Sequence, residues 1–140
     1  MLGSPHHLDL TVAHLATSVA FYEVVLARLG YQRTEQYSGE APCWLCSDDG
    51  ALVFGIALHQ ARRKTTHDRY SPGLHHLAFH AQDRREVNLF YEFLLENGIE
   101  ILDSPAEYDY TPNYYAVFFA DPDGLKLEVV HEPNVTKVVY

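Results

Sequence analysis

The sequence predicts an α+β fold of two tandem βαβββ modules, and three observations carry that prediction. The first is an internal repeat. The segment HHLDLTVAHLATSVAFYEVVLARLGY, starting at His6, aligns with HHLAFHAQDRREVNLFYEFLLENGIE, starting at His75. His6 meets His75, His7 meets His76 and Leu8 meets Leu77; Phe21-Tyr22 meets Phe90-Tyr91, and after a one-residue slip Gly30 meets Gly98. The second observation is a change of period. Each copy opens with alternating polarity, the mark of a half-buried strand, and passes into the 3.6-residue spacing of a helix. The third is a pair of turns, Asp48-Asp49-Gly50 and Asp121-Pro122-Asp123-Gly124, each followed by an apolar strand.

The elements follow in order. In the first strand His7, Asp9 and Thr11 share one face and Leu8, Leu10 and Val12 the other. The helix after it is expected to start at Thr17 as N-cap, to bury Tyr22, Val25, Leu26 and Leu29, and to stop at Gly30. Strands are expected at about 31–37, 41–46 and 51–58. In the second copy, His76, Ala78 and His80 oppose His75, Leu77, Phe79 and Ala81 across the opening strand. Asp83 followed by Glu86 resembles a capping box; Val87, Phe90, Tyr91, Leu94 and Leu95 form the buried stripe, and Gly98 is the stop. Strands at about 99–102, 114–120 and 125–131 complete the unit. The chain thus divides into a first module at 5–58, a linker at 59–72, a second module at 73–133 and a tail at 134–140.

Bulk composition narrows the function. A 140-residue chain with 47% hydrophobic and 21% charged residues buries a core rather than staying disordered. A net charge of −9 opposes binding to nucleic acid and to anionic membranes. No apolar run approaches the ~20 residues of a membrane span, and MLGSPHHLDL does not read as a signal peptide. A cytoplasmic location is therefore expected. Cys43-Trp-Leu-Cys46 lies in a strand-like run, where a redox CxxC would open a helix, and is read as two reduced thiols.

The chemistry points to a metal. The apolar face of each opening strand must cover its helix, so His7 and His76 face the opposite way, at matching positions of the two copies. Glu128 interrupts the apolar run LKLEVV, and a buried carboxylate needs a cation or strong donors. Two imidazoles and one carboxylate suit one divalent first-row metal, whether Zn, Ni, Mn or Fe. Asp9 and Thr11, on the face of His7, are candidates to line a substrate cleft. So are His59, His80 and Tyr115, within a tyrosine run that also holds Tyr108, Tyr110 and Tyr114. His80 stands roughly 13 Å along the strand from His76, too far to share a metal.

At HLDLTV, SVAFYEVVLARLGY, GLHHLAF and FFADPDGLKLEVV the chain resembles the vicinal oxygen chelate superfamily. That group includes glyoxalase I, extradiol dioxygenases, fosfomycin resistance proteins and bleomycin-binding proteins. The resemblance implies paired modules forming a U-shaped, metal-containing cleft, usually in a homodimer. It also implies that His7, His76 and Glu128 are the metal ligands, Glu128 being the catalytic residue, and that a small molecule is the partner.

Departures from the subfamilies sharpen this. The fourth ligand of glyoxalase I, a glutamate, is expected at Phe54 or Gly55, neither of which can bind a metal. The tyrosine of the extradiol signature is replaced by Phe118, with no histidine in 102–117, and no basic patch follows Glu128. The implied function is a metal-dependent, glyoxalase-like lyase or isomerase acting on a small oxygenated substrate. The alternatives are an Fe(II) ring-cleavage dioxygenase and a metal-free drug-binding protein.

Overall fold

The computed structural model describes residues 2–35 and 41–133, so the end of the strand expected at 31–37 and the tail at 134–140 lie outside the described residues. The chain forms two compact units, Met1–Thr66 and His67–Tyr140. Unit one holds β1 (His7–Val12), α1 (Leu15–Arg28), β2 (Gln32–Thr34), β3 (Cys43–Asp48) and β4 (Ala51–Gln60). Unit two holds β5 (His76–His80), α2 (Arg84–Glu96), β6 (Ile101–Glu107), β7 (Tyr115–Ala120) and β8 (Lys126–His131). The α+β class and the twice-repeated βαβββ order are those expected. β4 continues to Gln60, two residues into the segment read as linker.

Each unit is one mixed four-stranded sheet. The orders are β1-β4-β3-β2 and β5-β8-β7-β6. In both, the opening strand pairs in parallel with the last strand and the other pairs are antiparallel. A parallel pair requires a long crossover, and the helix with the next two strands supplies it.

The helix-facing side of each sheet is the core. In unit one Leu10 pairs with Leu58 and Leu8 with Ile56, and Val12, Tyr22, Val25, Leu26, Ile56 and Leu58 are at most 2% exposed. In unit two Leu77 pairs with Leu127 and Phe79 with Val129, beneath Val87, Phe90 and Leu94. Each such side chain, fully buried, contributes about 1.5–3 kcal/mol. Leu95, expected in the stripe, is 55% exposed. It follows Leu94 by one residue, a rotation of about 100° that carries it off the core face.

Both helices end in the same way. Gly30 (φ 86°) and Gly98 (φ 63°) take the left-handed conformation that L side chains avoid. Tyr31 N donates to Leu26 O at 2.9 Å and Ile99 N to Leu94 O at 3.0 Å, closing two Schellman motifs. The helix starts differ. Asp83 caps α2 by accepting from Glu86 N at 2.8 Å, while Glu86 accepts from Gln82 N at 2.7 Å. Thr17, expected as the cap of α1, lies inside the helix, and His14 is the N-cap with no side-chain cap bond. The cap comes from across the sheet: Gln60 accepts from Leu15 N at 2.9 Å.

Candidate functional site

In unit one the face away from the helix is built from β1 and β4. His7 pairs with Gly55, Asp9 with Ala57 and Thr11 with His59, and paired residues of neighbouring strands project to the same side. The side chains of His7, Asp9, Thr11 and His59 therefore all lie on that face. His7 Nε2 is 3.9 Å from Asp9 Oδ1. His59 Nε2 donates to Asp9 Oδ2 at 2.9 Å, since a carboxylate can only accept. A cavity of about 180 Å³ opens here, lined in part by His6, His7, Asp9, Leu45 and Ala57. Gly55 leaves room for the Leu45 and His7 side chains that line it. A Cβ there would lie 2.9 Å from Leu45 Cδ2 and 3.4 Å from His7 Cβ.

In unit two the corresponding face holds His76 paired with Lys126, Ala78 with Glu128 and His80 with Val130. Glu128 is 1% exposed and sits opposite Phe118 on β7. Tyr114 Oη donates to Glu128 Oε1, and His76 Nε2 faces Glu128 Oε2 at 3.5 Å. Ala116, Phe118 and Val130 form a buried cluster here, with Tyr108 and Tyr114 packed on it. His80 lies on this face at the exposed end of β5.

The electrostatics of this pair argue against a simple ion pair. Burial pushes the Glu128 carboxyl above the usual range, although the Tyr114 hydrogen bond and the Lys126 charge pull it down. Burial, then Lys126 and Arg69, hold the His76 imidazole below its usual value. Both shifts favour the neutral forms, so the contact between them is weaker than its geometry suggests. A cation would reverse the balance, because it favours the carboxylate and the unprotonated imidazole together. This buried donor pair fits a divalent metal on that ground.

Each candidate histidine ligand is preceded by a second histidine. His6 Nδ1 meets His7 Nδ1 at 2.9 Å, and His75 Nδ1 meets His76 Nδ1 at 2.8 Å, with edge-on rings in both cases. Engaging Nδ1 fixes the ring and leaves Nε2 as the nitrogen that faces Asp9 or Glu128. The His-His doublet repeated in the sequence was the available signal for this.

Two expectations need correction. Tyr115 is on the helix side: its hydroxyl donates to Asn88 Oδ1 at 2.8 Å and Arg84 lies over its ring. Its strand parity matches Val117 and Phe119, so it does not join Glu128, and Tyr114, one residue earlier, makes that contact. The position matching Glu128 is Ala57, not Phe54 or Gly55. Ala78 pairs with Glu128 and Asp9 with Ala57, while Phe54 pairs with Cys46. Counting from the turn glycine fails because β4 pairs first with β3, through a bulge at Cys46/Ser47, before it meets β1.

Within each unit, among the described residues, no three His, Cys, Asp or Glu side chains form a group that could hold a metal ion. Cys43 and Cys46 are thiols three residues apart on one strand, which directs them to opposite faces. No described helix is long and apolar enough to cross a membrane.

Comparison with known proteins agrees with this architecture. Residues 4–129 match the model of the glyoxalase/bleomycin resistance protein/dioxygenase superfamily. The chain is 30% identical over 126 residues to YqjT, an uncharacterised protein of Bacillus subtilis, covering 89% of this chain and 96% of that one. It is 30% identical over 129 residues to the virulence protein STM3117 of Salmonella typhimurium, covering 88% and 80%. The crystal structure of a provisionally assigned glyoxalase from Bacillus halodurans superposes with a TM-score of 0.76 at 31% identity, covering 94% of this chain and 97% of that one. With a repeated βαβββ fold and a match over nearly its whole length, the chain belongs to the glyoxalase/bleomycin resistance protein/dioxygenase superfamily.

Proposed function

We propose that the chain is a metal-dependent enzyme of the glyoxalase type, a lyase or isomerase whose small oxygenated substrate chelates a divalent metal held by His7, His76 and Glu128. The observation that carries this reading is Glu128: a carboxylate 1% exposed, destabilised by burial, with the Nε2 of His76 turned toward it. His7 enters by the repeat, since its ring is held by His6 as that of His76 is held by His75. Three protein ligands leave coordination positions for substrate oxygens. A divalent metal bound there would polarise a substrate oxygen or acidify a water.

The chain's own groups do the rest. Tyr114 holds one oxygen of Glu128, which orients the other toward His76. His6 and His75 hold the imidazole rings. The cavity of about 180 Å³ in unit one is below the ~300 Å³ of sites for drug-sized ligands, and suits a substrate of few heavy atoms. The protein acts in the cytoplasm as a homodimer in this reading, with the ligand set drawn from one chain or from two copies.

The test is metal analysis of protein purified without chelators, alongside His76→Ala. The expected result is stoichiometric divalent metal in the parent and a loss of affinity of at least ~100-fold in the variant, above the ~10–100-fold caused by losing an outer partner. A parent that neither carries nor takes up metal sinks the reading and favours a metal-free binding protein.

A further inference from the structure

Asp9 and His59 meet on the face of unit one that points away from its helix. Asp9 pairs with Ala57 and Thr11 with His59, so the acid and the imidazole stand on successive rungs of that face, on adjacent strands. Ala57 carries only a methyl group, which leaves the Asp9 carboxylate open to the longer His59 side chain. His59 Nε2 donates to Asp9 Oδ2 at 2.9 Å. The two side chains are 45% and 46% exposed, so a molecule arriving from solvent reaches them. Unit two has no such pair. Val130 stands where unit one has His59, and Glu128 is 1% exposed, with its oxygens facing Tyr114 and His76. The Asp9–His59 pair is therefore no product of the repeat.

The hydrogen bond settles which nitrogen is open. A carboxylate only accepts, so Nε2 carries the hydrogen of the neutral ring and the lone pair is on Nδ1. Among the described residues no partner occupies Nδ1. An imidazole held at one nitrogen by a carboxylate and open at the other is arranged as a general base. The acid fixes the tautomer and the ring, and it stabilises the imidazolium that forms. Space for a small molecule lies beside the pair. Asp9 lines the cavity of about 180 Å³ together with Leu45, Leu52 and Ala57.

We propose that His59 is an acid–base catalyst, held by Asp9, that moves a proton on a small carbonyl compound bound at the cavity of unit one. Nδ1 takes a proton from the carbon beside the carbonyl group. The C–H electron pair becomes the C=C bond of an enolate, and the carbonyl π pair moves to oxygen. The imidazolium then returns a proton to carbon and the carbonyl group is restored. No electron is gained or lost, and no co-reactant is consumed. The proposal rests on the reading above for its substrate class, small and oxygenated, and on no metal and no group of unit two.

The probe is hydroxyacetone in heavy water, with loss of its carbon-bound hydrogens followed by proton NMR. Buffer, the parent, His59→Ala, His59→Gln and Asp9→Asn are compared. Thermal melting checks each fold, and metal analysis is run on the same samples. Both side chains are half exposed, so the variants are expected to melt with the parent. The parent should exchange faster than buffer and at least ~100-fold faster than either His59 variant, the lower range for a general base. Free imidazole should restore exchange in His59→Ala, which a structural role does not predict. Asp9→Asn should lower the rate and shift the ring nitrogen signals of His59. Exchange in the parent no faster than in buffer overturns the proposal. So does parental exchange in folded His59 variants, or a loss in His59→Ala that imidazole does not restore. A parent that holds metal but fails to exchange leaves the metal reading intact, and one that exchanges without metal leaves this proposal standing alone.

Discussion

Unit one and unit two share a frame and differ at its rungs. Strand order, the parallel pair and the glycine-closed helix ends are the same in both. On the face away from the helix they part. Unit two fills that face with Phe118, Ala116 and Val130 and buries Glu128 among them. Unit one leaves a cavity, with Gly55 opposite His7 where unit two has Lys126 opposite His76. Lys126 lies over the Phe118 ring at 3.9 Å, so even that charge is absorbed into the packing. The difference teaches that a duplicated sheet conserves backbone pairing, which many residues share, and diverges at single cross-strand positions, where one substitution changes the chemistry without disturbing the ladder.

The turns before the last strands show the same split, and they give the largest expected effect on stability. In unit two Asp121 is 5% exposed and accepts from Asp123 N at 2.9 Å and Leu125 N at 2.8 Å. In unit one Asp48-Asp49-Gly50 is exposed, with Asp49 at φ 46° and Gly50 at φ 78°, a two-residue hairpin turn. Asp121→Ala should cost about 3 kcal/mol, since bonds to a charged group contribute roughly 1.5–3 kcal/mol each. Asp48→Ala should stay within about 0.5 kcal/mol. Urea denaturation measures both, and equal losses would erase the distinction between the turns.

The helix starts come next. Asp83→Ala removes the side-chain cap of α2 and should cost about 1 kcal/mol. Thr17→Ala, at the position that reads as a cap in unit one, should change stability by less than about 0.5 kcal/mol, because Thr17 is an exposed residue inside α1. A larger effect at Thr17 than at Asp83 would mean that the capping partners are reversed.

The smallest effect concerns the residue after each stop glycine, Tyr31 in unit one and Ile99 in unit two. Burial, then the Cys46 thiolate, pushes the Tyr31 hydroxyl up to about 12. The unfolded hydroxyl ionises near 10. The neutral form is thus favoured by folding: the stabilisation is complete below about pH 10 and is lost as pH rises toward 12. Tyr31→Phe should flatten the decline in denaturation free energy over that window, which Ile99, having no proton to lose, does not affect. Equal slopes for parent and variant would refute it.

What could be read early depended on how local its cause was. The strand of HLDLTV, the capping box at Asp83 and the stop at Gly98 each follow from a few adjacent residues, so they were legible. Glu128 was legible because a carboxylate inside LKLEVV has few bland explanations. The cap of α1 was not, because the group that accepts from Leu15 N is Gln60, on a strand far along the chain. That Tyr114 rather than Tyr115 faces Glu128 is not local, because the parity of β7 depends on which residue first enters the ladder. That Ala57 rather than Phe54 or Gly55 matches Glu128 is not local either, because the bulge at Cys46/Ser47 shifts the count.

The sequence by itself determined the duplicated βαβββ order and the buried faces, and it singled out His7, His76 and Glu128 as candidate donors. Those features rest on short-range sterics and on the periods of 2 and 3.6. The tertiary structure decided which residues share a rung: Asp9 with Ala57, Ala78 with Glu128, His7 with Gly55. Register is a property of two strands, set by a bulge and by apolar sides meeting across the sheet, and a one-residue slip would turn every side chain to the other face.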